Sequence, residues 1–197
     1  WILEKKYVKA IIGILIASLF HQSALLVLPF VFIVQGKAWN KKTLLFIMAV
    51  VIAVVFADRF TDILDNMLAE TQYENVVTDW ERFQDDGTNI LRVLVYSVPA
   101  VLSLIGLKYI RKADNPVINI CTNMSIAASG LYVVSMFTSG IFIGRLPIYF
   151  SVYSYILLPW LVKNVFTKRS AQLINLIMVG AYLVFYYYQM HFSWNML

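Results

Sequence analysis

Arg92 in NILRVLVYSVP and Arg145 in GRLPIYFSVYSYILLPW each open a long apolar segment, and each is followed four residues on by a tyrosine, Tyr96 and Tyr149. Residues four apart share a face of an α-helix. Arg92 with Tyr96, and Arg145 with Tyr149 and Tyr153, are therefore expected to form two columns running from a helix start into a bundle. A guanidinium is a planar fork of donors that matches phosphate oxygens and keeps its charge when partly desolvated. A pair of them suits a pyrophosphate at the edge of a membrane, and the neighbouring phenols can donate hydrogen bonds or stack on sugar rings. Snorkelling to lipid headgroups, or pairing with Asp85 or Asp86, is the plainer use of the same side chains.

His21 stands in the polar triplet His21-Gln22-Ser23 inside an otherwise apolar run. An imidazole titrates near neutral pH, which suits a base that takes a proton from a hydroxyl. Hydrogen bonding to Gln22 and Ser23 in a packed interior is the alternative. Asp86, six residues ahead of Arg92, is the second candidate base.

The elements that must position these groups belong to a membrane protein. A chain of 197 residues that is 60% hydrophobic and 14% charged, with a mean hydropathy of +0.72, cannot cover a soluble core with polar surface. Its apolar stretches approach the roughly 20 residues that a helix needs to cross a bilayer, and they lack the alternation of barrel strands. We expect an all-α, polytopic helical membrane protein with about six to seven transmembrane segments, some short or broken. It reads as one transmembrane domain over residues 1–197 and as a piece of a longer chain.

Spans are expected at about Thr43–Ala57, Ile90–Leu107, Pro116–Thr138, Ile143–Leu161 and Ala171–Tyr188. Ahead of them, Tyr7–Val34 is too long for one straight span, at about 42 Å for its 28 residues. It is either a pair of half-spans that turn back at His21 to Ser23, or one tilted helix kinked near Pro29. The formal charge of +5 sits in short loops: Lys5, Lys6 and Lys9, Gly36 to Lys42, Lys108 to Lys112, and Lys163 to Arg169. That pattern reports orientation and gives no reason to expect nucleic acid.

The positive-inside rule makes these loops cytoplasmic and turns the connector 58–89 outward, where nine carboxylates face only Arg59 and Arg82. Phe60, Ile63, Leu64, Met67 and Leu68 recur there at helical spacing, so 58–89 is expected to be an extracytoplasmic amphipathic segment, either a cover for the bundle or a lid. Arg92 and Arg145 then both lie at the outer interface. Tyr186, Tyr187, Tyr188 and Trp194 suit an aromatic belt on the same side, and His191 is read as solvated.

Several classes drop out. Cys121 is the single cysteine, so the chain holds no second thiol to pair with it in a disulfide or a thiolate metal site, and neither is expected. No phosphate-cradling glycine loop, His-Glu metal signature or nucleophile elbow occurs, and no carboxylate lies inside a span to serve an ion path. Asn119, Thr122, Asn123, Ser125 and Ser129 read as packing contacts between helices. No cofactor and no metal is expected.

The run ASLFHQSALLVLPFVFI, the acidic connector, NILRVLVYSVPAVL and GRLPIYFSVYSYILLPW together resemble the second half of the EpsG family of Wzy-like exopolysaccharide polymerases. The resemblance implies a GT-C-like architecture in a bacterial cytoplasmic membrane. It also implies an enzyme that polymerises undecaprenyl-pyrophosphate-linked oligosaccharide units into exopolysaccharide or capsule at the outer face. His21 would match the family's histidine, and Arg92 and Arg145 its outer-face arginines. Implied partners are lipid-linked oligosaccharide, membrane lipids, and polysaccharide export and chain-length proteins. A transporter or flippase for lipid-linked sugars, or a non-catalytic subunit of an export complex, would use the same features differently.

Overall fold

The computed structural model describes residues 1–57, 59, 63, 66, 87–138, 140 and 143–193. Among them every regular element is helical. The elements are α1 (Tyr7–Phe20), a 3-10 turn (Gln22–Val27), α2 (Phe30–Ile33), α3 (Lys41–Val55), α4 (Ile90–Ile105), α5 (Leu107–Ala113) and α6 (Pro116–Met136). A second 3-10 turn (Ile143–Arg145), α7 (Ile148–Ser151), α8 (Ser154–Val165), α9 (Lys168–Tyr188) and a π turn (Gln189–Ser193) complete them.

Asparagine sets three of the helix starts. Asn40 Oδ1 accepts from the backbone N–H groups of Lys42 and Thr43, Asn89 from Leu91, and Asn115 from Val117 and Ile118. Each bond satisfies donors that the first turn leaves without a helical partner, and Pro116 at the head of α6 has no N–H to satisfy. Pro116–Met136 and Lys168–His191 are each long and apolar enough to cross a membrane alone. The two bent pairs, Ile90–Ile105 with Leu107–Ala113 and Ile143–Ser151 with Ser154–Val165, raise the number to four if each is one span. Tyr7–Phe20 and Gln22–Ile33 are shorter apolar helices. The architecture is that of a polytopic helical membrane protein.

Two compact units make up the chain, Trp1–Leu157 and Leu158–Leu197. In the first, α6 is the axis. Asn119, Thr122, Asn123 and Ser125 are all buried on it, and each is hydrogen-bonded. Its neighbour α4 runs antiparallel, pinned by Thr88 Oγ1 with Ser135 Oγ at 2.7 Å, Ser97 Oγ with Ser129 Oγ at 2.7 Å, and Ser103 Oγ with Trp39 Nε1 at 3.0 Å beside the start of α3. Helix α3 runs parallel to α6: Trp39 donates to Asn123 at one end, and Val50 packs with Val134 at the other. Phe30, Val34, Met124, Ala127, Ala128 and Phe150 form the apolar core on the remaining side.

Tyr7–Val34 is a pair of short apolar helical segments that turn back on each other. His21 is extended (φ −150°, ψ 104°) and ends α1, and the chain comes back so far that the ring of Phe32 lies 6.3 Å from that of Tyr7. A continuous helix would hold those two residues about 37 Å apart. Both flanks of the pair therefore reach one end of α6, where Lys5, Lys37, Lys41 and Lys42 gather; we call this the lysine end. Arg92 and Arg145 belong to the opposite, arginine end.

The second unit contains the C-terminal part of α8 and helix α9. Thr167 caps α9 by accepting from Ser170 N. Within the span Lys168–His191 almost nothing is buried. The ring of His191 stacks on Tyr187 at 5.4 Å.

Candidate functional site

The arginine end is built on a close junction of three segments. Thr88 N donates to Ser135 O at 2.9 Å, and Ser135 Oγ donates its one hydrogen to the carbonyl of Tyr132 and pairs with the hydroxyl of Thr88 at 2.7 Å. Gly87 takes φ +79°, and a Cβ there would lie 2.6 Å from the carbonyl oxygens of Ser135 and Met136, so only glycine fits. On the other side a Cβ on Gly144 would meet Thr88 Oγ1 at 2.6 Å. Gly144 directly precedes Arg145, and Thr88 lies one helical turn ahead of Arg92. The starts of both arginine segments thus pack against the same end of α6.

From this junction α4 carries Arg92, half-buried, and Tyr96 one turn deeper on the same face, as the spacing predicts. The ring of Tyr96 stacks on Tyr132 of α6 with centroids 4.7 Å apart and planes 22° off parallel. Tyr132 is buried, and its phenol is within electrostatic range of Tyr96, Arg92 and Tyr155 of α8. Tyr155 is 62% exposed. One guanidinium and three phenols therefore form a cluster with an open side.

The second column differs from its prediction. Arg145 ends a 3-10 turn and Tyr149 lies in the separate one-turn helix α7, with Pro147 between them. Proline lacks the N–H that a continuous helix needs and disfavours helical geometry in the residue before it, so Arg145, Tyr149 and Tyr153 do not share one regular helical face. Ile143 and Leu146 on either side are buried against Val50 and Val134, which anchors the turn and leaves Arg145 exposed.

Tyr149 reaches the break in the re-entrant pair. Its hydroxyl lies 3.0 Å from Ser23 Oγ, a contact across 126 residues of sequence. Ser23 is buried, whereas His21 and Gln22 at the tip are exposed. The structure brings the His21-Gln22-Ser23 break together with the Arg145 segment, and the Arg145 segment together with the start of α4. Asp86 and nearly all of the expected amphipathic connector 58–89 lie outside the described residues.

Sequence reasoning missed Tyr132 and Tyr155. Tyr132 sits on the axial helix among packing residues, and its depth relative to Tyr96 follows only from the register of the α4–α6 seam. Tyr155 lies in the same tyrosine-rich run as Tyr149 and Tyr153, and that repetition was the available signal. No group of three or more His, Cys, Asp or Glu side chains suited to a metal ion occurs among the described residues.

Chemically, the arginine end offers cationic forks for phosphate oxygens, phenol rings and hydroxyls for sugar, and an imidazole at a helix break. The sequence profile of the EpsG family matches residues 1–196. No curated protein and no solved structure matches the chain.

Proposed function

Since the chain belongs to the EpsG family of Wzy-like polymerases, with a role in polysaccharide biosynthesis at a membrane, we propose that its arginine end joins undecaprenyl-pyrophosphate-linked oligosaccharide units at the outer face of a bacterial cytoplasmic membrane. The observation that carries this reading is the Ser23–Tyr149 contact at 3.0 Å. It ties His21, at the break after α1, to the segment of an arginine, so that a candidate base and a candidate anion receiver belong to one structural unit.

In the proposed reaction a hydroxyl at the non-reducing end of the incoming lipid-linked unit attacks the anomeric carbon of the growing glycan. The bond from that carbon to the pyrophosphate oxygen breaks, and the leaving group is the lipid pyrophosphate. Arg92 and Arg145 stabilise the charge that develops on it, as fixed donors in a low-dielectric setting do. His21 accepts the proton of the attacking hydroxyl, with Asp86 as the second candidate. Tyr96 and Tyr149 bind donor or acceptor, and the exposed ring of Tyr155 adds a stacking surface.

The test is Arg92→Ala and Arg145→Ala in the full-length protein, measured as polymer per inserted protein. Loss of a donor to a developing oxyanion costs roughly 10²–10³-fold, so polymer should vanish while insertion persists. Single-repeat lipid-linked units should collect on the outer leaflet, where a flippase defect would leave them on the inner one. Normal polymer from both variants would sink the proposal.

A further inference from the structure

The lysine end holds a cavity of about 740 Å³ walled by Lys5, Lys37, Lys41 and Lys42. Asp114 is its one carboxylate among the described residues, so four ammonium groups face a single negative charge. All four lysines are exposed. Lys42 Nζ donates to the carbonyl of Phe32 at 3.0 Å, which holds it at the rim and leaves two of its hydrogens for a ligand. Positive-inside orientation requires lysines on this side of the membrane, but it does not require them to surround a space.

A second cavity, of about 530 Å³, lies between the two short segments of Tyr7–Val34 and α6. Its walls are mostly apolar: small Ala10, Gly13 and Ala17 on α1 line it together with Phe30, Met124, Tyr149 and Tyr153, and the ring of Trp1 lies against Gly13. Ile2, Leu3 and Ile120 belong to the walls of both cavities, so the two adjoin. Together they make a cationic chamber that continues into an apolar groove. This is the shape of an amphiphile with an anionic head and a hydrocarbon tail. Basic pockets between helices on the cytoplasmic side of a membrane take such headgroups.

We propose that these adjoining cavities form a binding site for an anionic glycerophospholipid of the leaflet at the lysine end. The phosphate lies among Lys5, Lys37, Lys41 and Lys42, and one acyl chain lies in the groove beside Gly13 and Ala17. The lysine chamber that takes the phosphate sits at the opposite end of α6 from the arginines, while the groove for the chain runs up to Tyr149, so the headgroup is distinct from the donor pyrophosphate. A free phosphate would use the chamber and leave the groove without a role. A bound lipid would hold those short segments against α6 and so steady the break at His21.

Full-length protein in mild detergent, titrated with dioctanoyl-phosphatidylglycerol and followed by native mass spectrometry, should show saturable binding of one lipid. Dioctanoyl-phosphatidylcholine and inorganic phosphate, in separate titrations, should neither bind comparably nor displace it. Lys37→Gln with Lys41→Gln should weaken binding about 30-fold, from roughly fivefold per lysine removed. Ala17→Phe, which fills the groove and touches no lysine, should weaken it at least tenfold. Unchanged binding in the lysine variant, or equal affinity for phosphatidylcholine, overturns the site. Displacement by inorganic phosphate together with full binding to the Ala17→Phe protein overturns the lipid in favour of a plain anion. The lysine substitutions lie at the opposite end of α6 from the arginines, so their failure leaves the proposed polymerisation untouched.

Discussion

The two ends of α6 handle polar groups in opposite ways. At the lysine end the groups that hold the fold are buried amides: Asn119 accepts from Ala38 N at 3.0 Å, and Asn123 donates to Val34 O at 2.9 Å while accepting from Trp39 N. The charges there sit outside this scaffold, around an open chamber. At the arginine end a glycine and hydroxyl junction holds the fold, and Arg145, Tyr149 and Tyr155 remain on the surface. In a membrane an unsatisfied buried polar group is costly, so polar side chains either bond inward or face something that can satisfy them. Asn123, 1% exposed, is the first kind and Tyr155 the second.

The contrast can be broken most sharply at His21. As the base on the arginine end, His21→Gln should lower polymer formation per inserted protein by roughly 10²–10⁴-fold. Lys112→Gln, on the lysine side but off the wall of its chamber, should leave the yield unchanged. A His21→Gln protein of normal activity would make the triplet a packing element like Asn119.

Asn123→Leu comes next, in stability. It strands the buried carbonyl of Val34 and the N–H of Trp39, which should cost about 1–3 kcal/mol in thermal unfolding in detergent. Polymer should fall only in proportion to folded protein. A loss of activity with normal stability would move the amide from scaffold to site.

Tyr155→Ala should reverse that pattern, with unchanged unfolding and roughly tenfold less polymer, the scale of one aromatic contact of about 1.4 kcal/mol. The smallest effect is expected for Ser129→Ala, which removes the bond to Ser97 at 2.7 Å. Side-chain hydrogen bonds between membrane helices average about 0.6 kcal/mol, because the unfolded chain in the membrane also finds partners. Unfolding curves of this variant and the parent should nearly overlay; a large shift would mean that the seam of α4 and α6 depends on that one bond.

The span boundaries were close to legible. Ile90–Leu107 was expected where α4 runs Ile90–Ile105, and Pro116–Thr138 where α6 runs Pro116–Met136, because helix starts and apolar runs are local properties. The face shared by Arg92 and Tyr96 was legible for the same reason. Arg145 and Tyr149 are harder: their four-residue spacing fits a helical face, while Pro147 between them breaks the helix. Tyr132 was illegible as a site residue, since a buried tyrosine on a polar axial helix reads as packing until its stacking partner is known.

Composition and charge placement alone determined that this is a helical membrane protein, where its long spans begin, and which groups could receive an anion or a proton. Those properties depend on hydrophobic length, capping residues and side-chain chemistry, all written within a few residues of one another. Only the tertiary structure decided that Tyr7–Val34 turns back on itself, that Ser23 meets Tyr149 across 126 residues, and that Tyr96 stacks on Tyr132. Either path for the first region satisfied its local hydrogen bonds and apolar length. The choice came from packing Phe30 against Met124 and Phe150, contacts between distant segments that no local pattern encodes.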